Sequence, residues 1–561
     1  MSFIKLSLSD WLYNAGIIGL LNILKHSKDE FQINGQEVII NTDSFENFEE
    51  KYFKYFIDTY EKTLSWYRIV KLENFIKKHE NENFEAFDED SLETLNEYIG
   101  SNSKSGSVKY YLNSNSYKAA FELIGDQFDI EKAGKELAQI KLKKNEELNV
   151  EEVKEVFSKI KAIINYCNKP NAKKYIAAKN VIYTIIKNAW DGVSFLNAQT
   201  KIPDMYIDYK EHFIDKTMEY FAQDTTKFKY NCFVCDRKMK DMKNDLSFLK
   251  MTGFDTSRKP SHVWNFINDI AVCPVCKLVY SCVPAGFSYF YGNGILVNAN
   301  YSIEESQRIN TIIKHEILNN QESKGIYNAF GTMIKGLRES INESSKYELS
   351  DIQVVRYEED KYRFNILTKN ILKVLYDSRE ELNGLIKTGF QEINTYFRLY
   401  DETMKKLLNN ENLFIFIHKI IVFKISAEPK NIHYNESHIK NLIIINFRYL
   451  KGVGGMEKTE IDIIKMASRD GYYLREAYKA KNSENKLNGI CYRLLNALKT
   501  NNKNMFMDTI LNCYLYTNKL IPKFMTDCLR GDDEFKTIGY AFVTGLIDGK
   551  KNETTNGGEK E

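Results

Sequence analysis

Nine cysteines occur in the chain, and four of them carry a spacing that can do chemistry: Cys232-Phe233-Val234-Cys235 and, well downstream, Cys273-Pro274-Val275-Cys276. Two residues between cysteines let both thiolates converge on one cation from a tight knuckle turn. Two such knuckles complete the tetrahedral four-sulfur shell that zinc accepts without strain. A closed shell of this kind leaves no open coordination position. The spacing therefore predicts a structural zinc ion that holds local fold and does not activate water. A redox pair would account for only one knuckle. Cys282, just beyond the second knuckle, reads as a buried thiol and not as a ligand.

No other residues form a catalytic pattern. The chain has no G-x-x-x-x-G-K-[ST] phosphate loop, no H-E-x-x-H and no Gly-x-Ser-x-Gly, and His315-Glu316 lacks a second histidine. Arg530-Gly531-Asp532-Asp533 reads as a charged turn between helices, and Gly292-Asn293-Gly294 as a tight turn between strands. The expectation is a protein that is not an enzyme. Two alternatives stay open on the residues alone. A zinc-containing nuclease or nucleotidyl transferase would need carboxylates or histidines around an open metal site. A scaffold protein would bind other proteins and no nucleic acid.

The elements that must position the cysteines are mostly helical. Only seven prolines interrupt 561 residues, and 43% of the residues are hydrophobic, which permits long helices and a sizeable core. The 36 tyrosines and 34 phenylalanines read first as fillers of helix–helix cores. Periodicity and turn signals predict a strand from Phe3 to Leu8, a helix from Ser9-Asp10 to about His26, and a hairpin turning at Asn34-Gly35. Helices follow from Ser44 to about Ile99, then a polar loop from Ser101 to Tyr117, then helices to about Ala222. Strands are expected between Phe287 and Val297 and in a hairpin from Ile352 to Leu367. Helix is expected throughout Ile371–Ile425 and again from Met456 to about Gly549. The fold class is α+β and predominantly α-helical. Its parts are a mixed N-terminal domain (1–225), a zinc-ribbon-like region (226–300), a helical domain with a hairpin (301–450), a C-terminal helical bundle (451–550) and a tail (551–561).

Formal charge is +2, from 78 Lys and Arg against 76 Asp and Glu, so the whole chain does not advertise a nucleic-acid partner. No stretch reaches the ~20 apolar residues of a membrane span, and the apolar run from Trp11 to Leu24 lacks the basic start and cleavage site of a signal peptide. A cytoplasmic protein with no membrane partner is expected.

The Cys-x-x-Cys and Cys-Pro-x-Cys pair, followed by an aromatic Gly-rich strand, resembles the CXXC–CXXC class of CRISPR-associated proteins. The opening run from Ser9 to Gly19 (SDWLYNAGIIG) and the closing run from Phe535 to Phe542 (FKTIGYAF) resemble the same class. The resemblance is to the large subunit of type I-B Cascade, an interference complex guided by CRISPR RNA that serves antiviral defense. It implies a subunit that recognises the protospacer-adjacent motif in target double-stranded DNA and assists R-loop formation. It further implies recruitment of a helicase-nuclease and no nuclease activity of the chain itself. The implied partners are CRISPR RNA, target DNA and the backbone, handle-binding and small subunits. Sequence would then be read by guide pairing, with the protein reading a short duplex motif.

For motif reading, the candidates are Lys104, Lys109, Asn113 and Asn115 in the polar loop and Asn293 in the glycine turn, since Asn and Lys can contact base edges and phosphates. A plain surface loop is the competing reading. From Gly471 to Arg530 ten basic residues face four acidic ones. Under the resemblance this bundle is similar to the small subunit, and Arg475, Lys479, Lys486, Arg493, Lys499 and Lys503 are candidates for the displaced-strand backbone. On composition alone an ordinary solvated helix surface is the simpler account.

Overall fold

A computed structural model describes residues 2–99, 112, 115–126, 128–140, 150–250, 252, 270–290, 292–319, 352–358, 360–454, 456 and 460–547. The chain divides into two compact units, Met1–Gln321 with Val354–Phe364, and Glu322–Gln353 with Asn365–Glu561. The fold is α+β and mostly helical, as the pattern predicts, with several small antiparallel sheets.

In the first unit, strands Phe3–Ser7, Glu37–Asn41 and Phe31–Asn34 form a three-stranded antiparallel sheet with Glu37–Asn41 in the centre. Asn34 pairs with Glu37, so the hairpin turn is Gly35-Gln36, one residue later than the Asn34-Gly35 reading. Gly35 takes the left-handed φ of 64° that the turn demands. Between the first two strands in sequence lies the helix Trp11–His26. Asp10 caps it by accepting from Leu12 N and Tyr13 N at 2.9 and 3.1 Å.

That helix is buried on nearly every side, including Gly16, Gly19 and the polar Asn14. Its glycines are sites of close approach. A methyl group at Gly16 would sit 2.5 Å from Val279 O, and one at Gly19 would overlap the Cys282 carbonyl oxygen. From the other side, a methyl at Gly286 would overlap Ala15 O. The helices Pro274–Ser281 and Val283–Gly286 therefore lie backbone against backbone with Trp11–His26. Asn22 Nδ2 donates to Ala285 O at 3.1 Å across the same contact.

The aromatic helix Phe48–Tyr60 packs on the other flank. Tyr52 stacks on Tyr209 with centroids 4.4 Å apart, and its hydroxyl donates to Ser281 O at 2.9 Å. One hydrophobic core runs from Ile4 to Tyr357 through this unit, and tyrosine and phenylalanine supply most of its largest side chains. Strands Ser288–Phe290, Asn293–Asn298, Ile352–Glu358 and Lys361–Leu367 form a four-stranded sheet in that order. The glycine turn is shifted too: Phe290 pairs with Asn293, so the turn closes on Gly292 (φ 78°), and Asn293 and Gly294 already belong to the strand.

In the second unit the expected helix over Ile371–Ile425 is broken by a hairpin, Gly389–Glu392 with Thr395–Arg398, joined by Ile432–His433. Aromatic and β-branched residues in the two strands (Phe390, Thr395, Tyr396, Phe397) favour strand there. A side chain at Gly389 would overlap Phe397 O, which excludes any other residue without movement. Further on, Ile461–Ala480, Leu487–Lys499, Lys503–Thr517 and Asp532–Ile547 are the expected C-terminal helices. Gly545 repeats the earlier device, since a methyl there would overlap Ser468 O. No helix among the described residues is long and apolar enough to cross a membrane.

Candidate metal centre

The first knuckle sits on a short hairpin. Strands Tyr230–Asn231 and Lys238–Met239 pair antiparallel, and Cys232 N donates to Arg237 O at 2.8 Å to close the loop between them. Asp236, directly after Cys235, takes a left-handed φ of 57°, which turns the chain back towards the second strand. The second knuckle is a helix start. Cys273 is the N-cap of Pro274–Ser281, with Pro274 in the first turn, where its missing N–H costs nothing. Phe233 N donates to Ala271 O at 3.0 Å, tying the two knuckles together despite the long insert.

All four sulfurs lie within 4.8 Å of one another, and Cys235 Sγ and Cys273 Sγ are 3.6 Å apart. A tetrahedral shell with bonds of about 2.3 Å has sulfur–sulfur edges of about 3.8 Å, so this cluster is compatible with a single four-coordinate metal ion. No second group of three or more His, Cys, Asp or Glu able to share an ion occurs among the described residues. Cys282 is fully buried, stands outside the cluster and is a free thiol.

The surroundings suit thiolates. Backbone N–H groups of Cys273 and Cys276 point at Cys232 Sγ and Cys273 Sγ at 3.2 and 3.5 Å. Tyr13 Oη lies 3.3 Å from Cys276 Sγ, and Arg237 Nη1 donates to Cys235 Sγ at 3.4 Å. Burial works against the Arg237 cation, but the sulfurs of Cys235, Cys273 and Cys276 outweigh it and raise its pKa. No carboxylate among the described residues forms an ion pair with Arg237, whose other guanidinium nitrogen donates to Lys5 O. Without a cation the four thiols compete. Hydrogen bonds from Cys235, Cys273 and Cys276 pull the Cys232 thiol down, while donation to Cys232 holds Cys273 and Cys276 well above the usual range. A divalent ion held by Cys232, Cys235, Cys273 and Cys276 would resolve that conflict by stabilising all four as thiolates, leaving a net negative centre that Arg237 would offset.

Residues 225–288 match the family model described as CRISPR-associated protein (Cas_CXXC_CXXC). The match spans both knuckles, so the four-cysteine region is similar to that CRISPR-associated family. No curated protein and no solved structure matches the chain.

Sequence reasoning missed how the opening segment supports this centre. Asp10 Oδ2 accepts from Tyr280 Oη at 3.1 Å, Tyr13 reaches Cys276, and Asn14 Nδ2 donates to Asn298 Oδ1 and Asn300 Oδ1 at 3.1 and 2.8 Å. The available signal was the pair of glycines three residues apart in an otherwise apolar helix.

The remaining candidates are scattered. Lys104, Lys109 and Asn113 lie outside the described residues; Asn115 is the first residue of the helix Asn115–Ile124, and Asn293 opens the strand Asn293–Asn298. In the second unit Arg475 is buried, and Glu484 holds its guanidinium at 2.6 Å. Lys479 pairs with Glu476 at 2.9 Å and Lys503 with Asp532 at 2.9 Å. Arg493 and Lys499 are exposed on Leu487–Lys499. Lys486 lies over the ring of Tyr516, 4.8 Å from its centroid, and Lys481 lies over the same ring at 5.1 Å. Tyr473, half-exposed like Tyr516, has Lys519 above it at 6.0 Å. These tyrosine faces, Tyr516 beside two lysines and Tyr473 beside one, were not singled out in sequence because their lysines lie in turns and loops distant in sequence.

Proposed function

We propose that the chain is the large subunit of a type I-B CRISPR interference complex, with the four cysteines holding a structural zinc ion. The observation that carries this reading is the family match over a closed four-sulfur cluster. Such a cluster, lacking an open ligand position, serves architecture and not hydrolysis. In this role the chain is a cytoplasmic, non-catalytic subunit. It recognises the flanking motif in duplex DNA, assists strand opening and recruits the helicase-nuclease, while the guide RNA reads sequence. The exposed Tyr473 and Tyr516 beside Lys519, Lys481 and Lys486 suit a single strand, since bases stack on aromatic faces and lysines meet phosphates. The test is co-expression with guide RNA and the backbone and handle-binding subunits. A stoichiometric complex that binds duplexes carrying the correct flanking motif is expected. Failure of the chain to enter any such complex would overturn the assignment.

A further inference from the structure

Beside the metal centre, within the first unit, lies a cleft of about 420 Å³. Half of its lining is aromatic (Trp11, Phe233, Tyr280, Tyr362 and Phe364), three leucines and Thr252 fill in between, and Asp10 contributes a carboxylate. Trp11 meets Tyr362 and Phe364 edge-on at 5.0 and 5.1 Å, which fixes the two strand residues against the start of the helix. Phe233, at the tip of the first knuckle, is 60% exposed and Phe364 is 47% exposed, so two large apolar faces stand open to solvent at one site. Among the described residues, no lysine or arginine lines the cleft.

We propose that this cleft receives the guanidinium of an arginine presented by a partner polypeptide. The charge pattern selects a cation. Aromatic faces carry negative quadrupole density, and the one ionic group among the described lining residues is a carboxylate. Asp10 also exceeds the partial positive charge of roughly half a unit at the helix start it caps. Burial and Asp10 keep the Tyr280 phenol protonated, so it serves as a donor to Asp10. Asp10 accepts from Leu12 N, Tyr13 N and Tyr280 Oη, which uses three of the about four lone-pair directions of a carboxylate. One direction remains for an incoming N–H. A guanidinium is flat enough to lie against the rings while donating to that oxygen, which a lysine ammonium cannot do as well. A phosphate-bearing ligand would meet the carboxylate with no compensating cation among the described lining residues.

The test is fluorine NMR of the full chain labelled with fluorotryptophan, with W11F assigning the Trp11 resonance. N-acetyl-arginine amide, N-acetyl-norleucine amide and adenosine serve as probes. Arginine is expected to shift the Trp11 signal saturably, with norleucine needing about tenfold more, and the other tryptophans unmoved. Asp10→Asn retains the cap, because asparagine caps as well as aspartate, and is expected to weaken arginine binding about three- to tenfold. Phe233→Ala, at an exposed position, is expected to weaken it in the same direction. Equal binding of norleucine, an unchanged response in Asp10→Asn, or no saturable shift with arginine would overturn the proposal. Saturation by adenosine without arginine binding would also overturn it and mark a nucleobase cleft instead.

Discussion

Gly19→Ala puts the packing of the N-terminal helix against the second knuckle under direct test. The added methyl would overlap Cys282 O and lie 2.8 Å from Gly286 N and 2.9 Å from Cys282 C. Ordinary contacts begin at about 3.5 Å, and every atom in the way is backbone, so the helices must part by about 1 Å. That movement stretches two hydrogen bonds across the contact, Tyr13 Oη to Cys276 Sγ (3.3 Å) and Asn22 Nδ2 to Ala285 O (3.1 Å). Each contributes about 1 kcal/mol net, and overpacking adds about 1–3 kcal/mol. Alanine in a helix gains back about 0.5–1 kcal/mol over glycine. The net loss is about 2–4 kcal/mol, a fall of roughly 3–6 °C in the unfolding temperature of the large first unit. Two assays separate this from a general loss of quality: calorimetric unfolding, and the rate at which a chelator removes the bound metal, which will rise because Tyr13 is displaced from Cys276. Gly489→Ala is the control. It lies in the helix Leu487–Lys499 with nothing within 4 Å of the added methyl, so it should stabilise by about 0.5–1 kcal/mol. If Gly19→Ala unfolds like the parent protein and keeps its metal as long, the backbone contact is not what holds the helix.

Cys273→Ser is expected to abolish stoichiometric metal binding and loosen the knuckle region, whereas Cys282→Ala retains the metal; elemental analysis of purified protein distinguishes them. Lys314 is fully enclosed, donating to Tyr55 Oη and Ala285 O at 2.8 Å each, and burial lowers its pKa to about 7. Its unfolded value is about 10.4, so the unfolded state binds the extra proton between those limits and stability rises with pH from about 7 towards 9, by about 1.4 kcal/mol per unit at most. Lys314→Met is therefore expected to flatten that rise and to stabilise the first unit at pH 7, as urea unfolding across this window will measure. Tyr473→Ala and Tyr516→Ala are expected to weaken single-stranded DNA binding without changing its salt slope, because stacking carries no counterions. Lys486→Ala is expected to reduce the slope by about 0.7, and equal slopes in all three would remove the strand-binding role from this face.

The metal cluster was legible because its information is local. Two Cys-x-x-Cys units state a ligand set regardless of the insert between them, and the structure brings the four sulfurs together. Fold class was legible for a similar reason, since periodicity and scarce proline report on each segment separately. Register was less legible. Both hairpin turns, at Gly35 and at Gly292, are displaced from where Asn34-Gly35 and Gly292-Asn293-Gly294 suggested, because cross-strand pairing decides which residues are left unpaired. The hairpin at Gly389–Arg398 was hidden in a stretch whose apolar residues also satisfy a helical spacing. Charge was the least legible. Arg475, a candidate for the displaced-strand backbone, is buried against Glu484, while Tyr473 and Tyr516 gain their lysines only through tertiary neighbours.

The runs from Ser9 to Gly19 and from Phe535 to Phe542 share a physical feature: helices whose glycines admit a neighbouring helix. The kind of neighbour differs, and that difference is measurable. At Gly19 the obstacle to a methyl is the backbone of Cys282 and Gly286, so no side-chain truncation can make room. At Gly539, in the helix Asp532–Ile547, the obstacle is the side chain of Leu498, whose Cδ2 a methyl would overlap. Gly539→Ala is therefore expected to destabilise the second unit by about 1–3 kcal/mol. Leu498→Ala alone removes a fully buried side chain and costs about 2–5 kcal/mol. The double variant is expected to cost at least about 1 kcal/mol less than the sum, because the alanine methyl occupies space that the leucine vacated. Gly19→Ala combined with Cys282→Ala, by contrast, is expected to show no such relief. Strict additivity at Gly539 and Leu498, or clear suppression at Gly19, would mean that these glycines are held for helix flexibility and not for the approach of another helix.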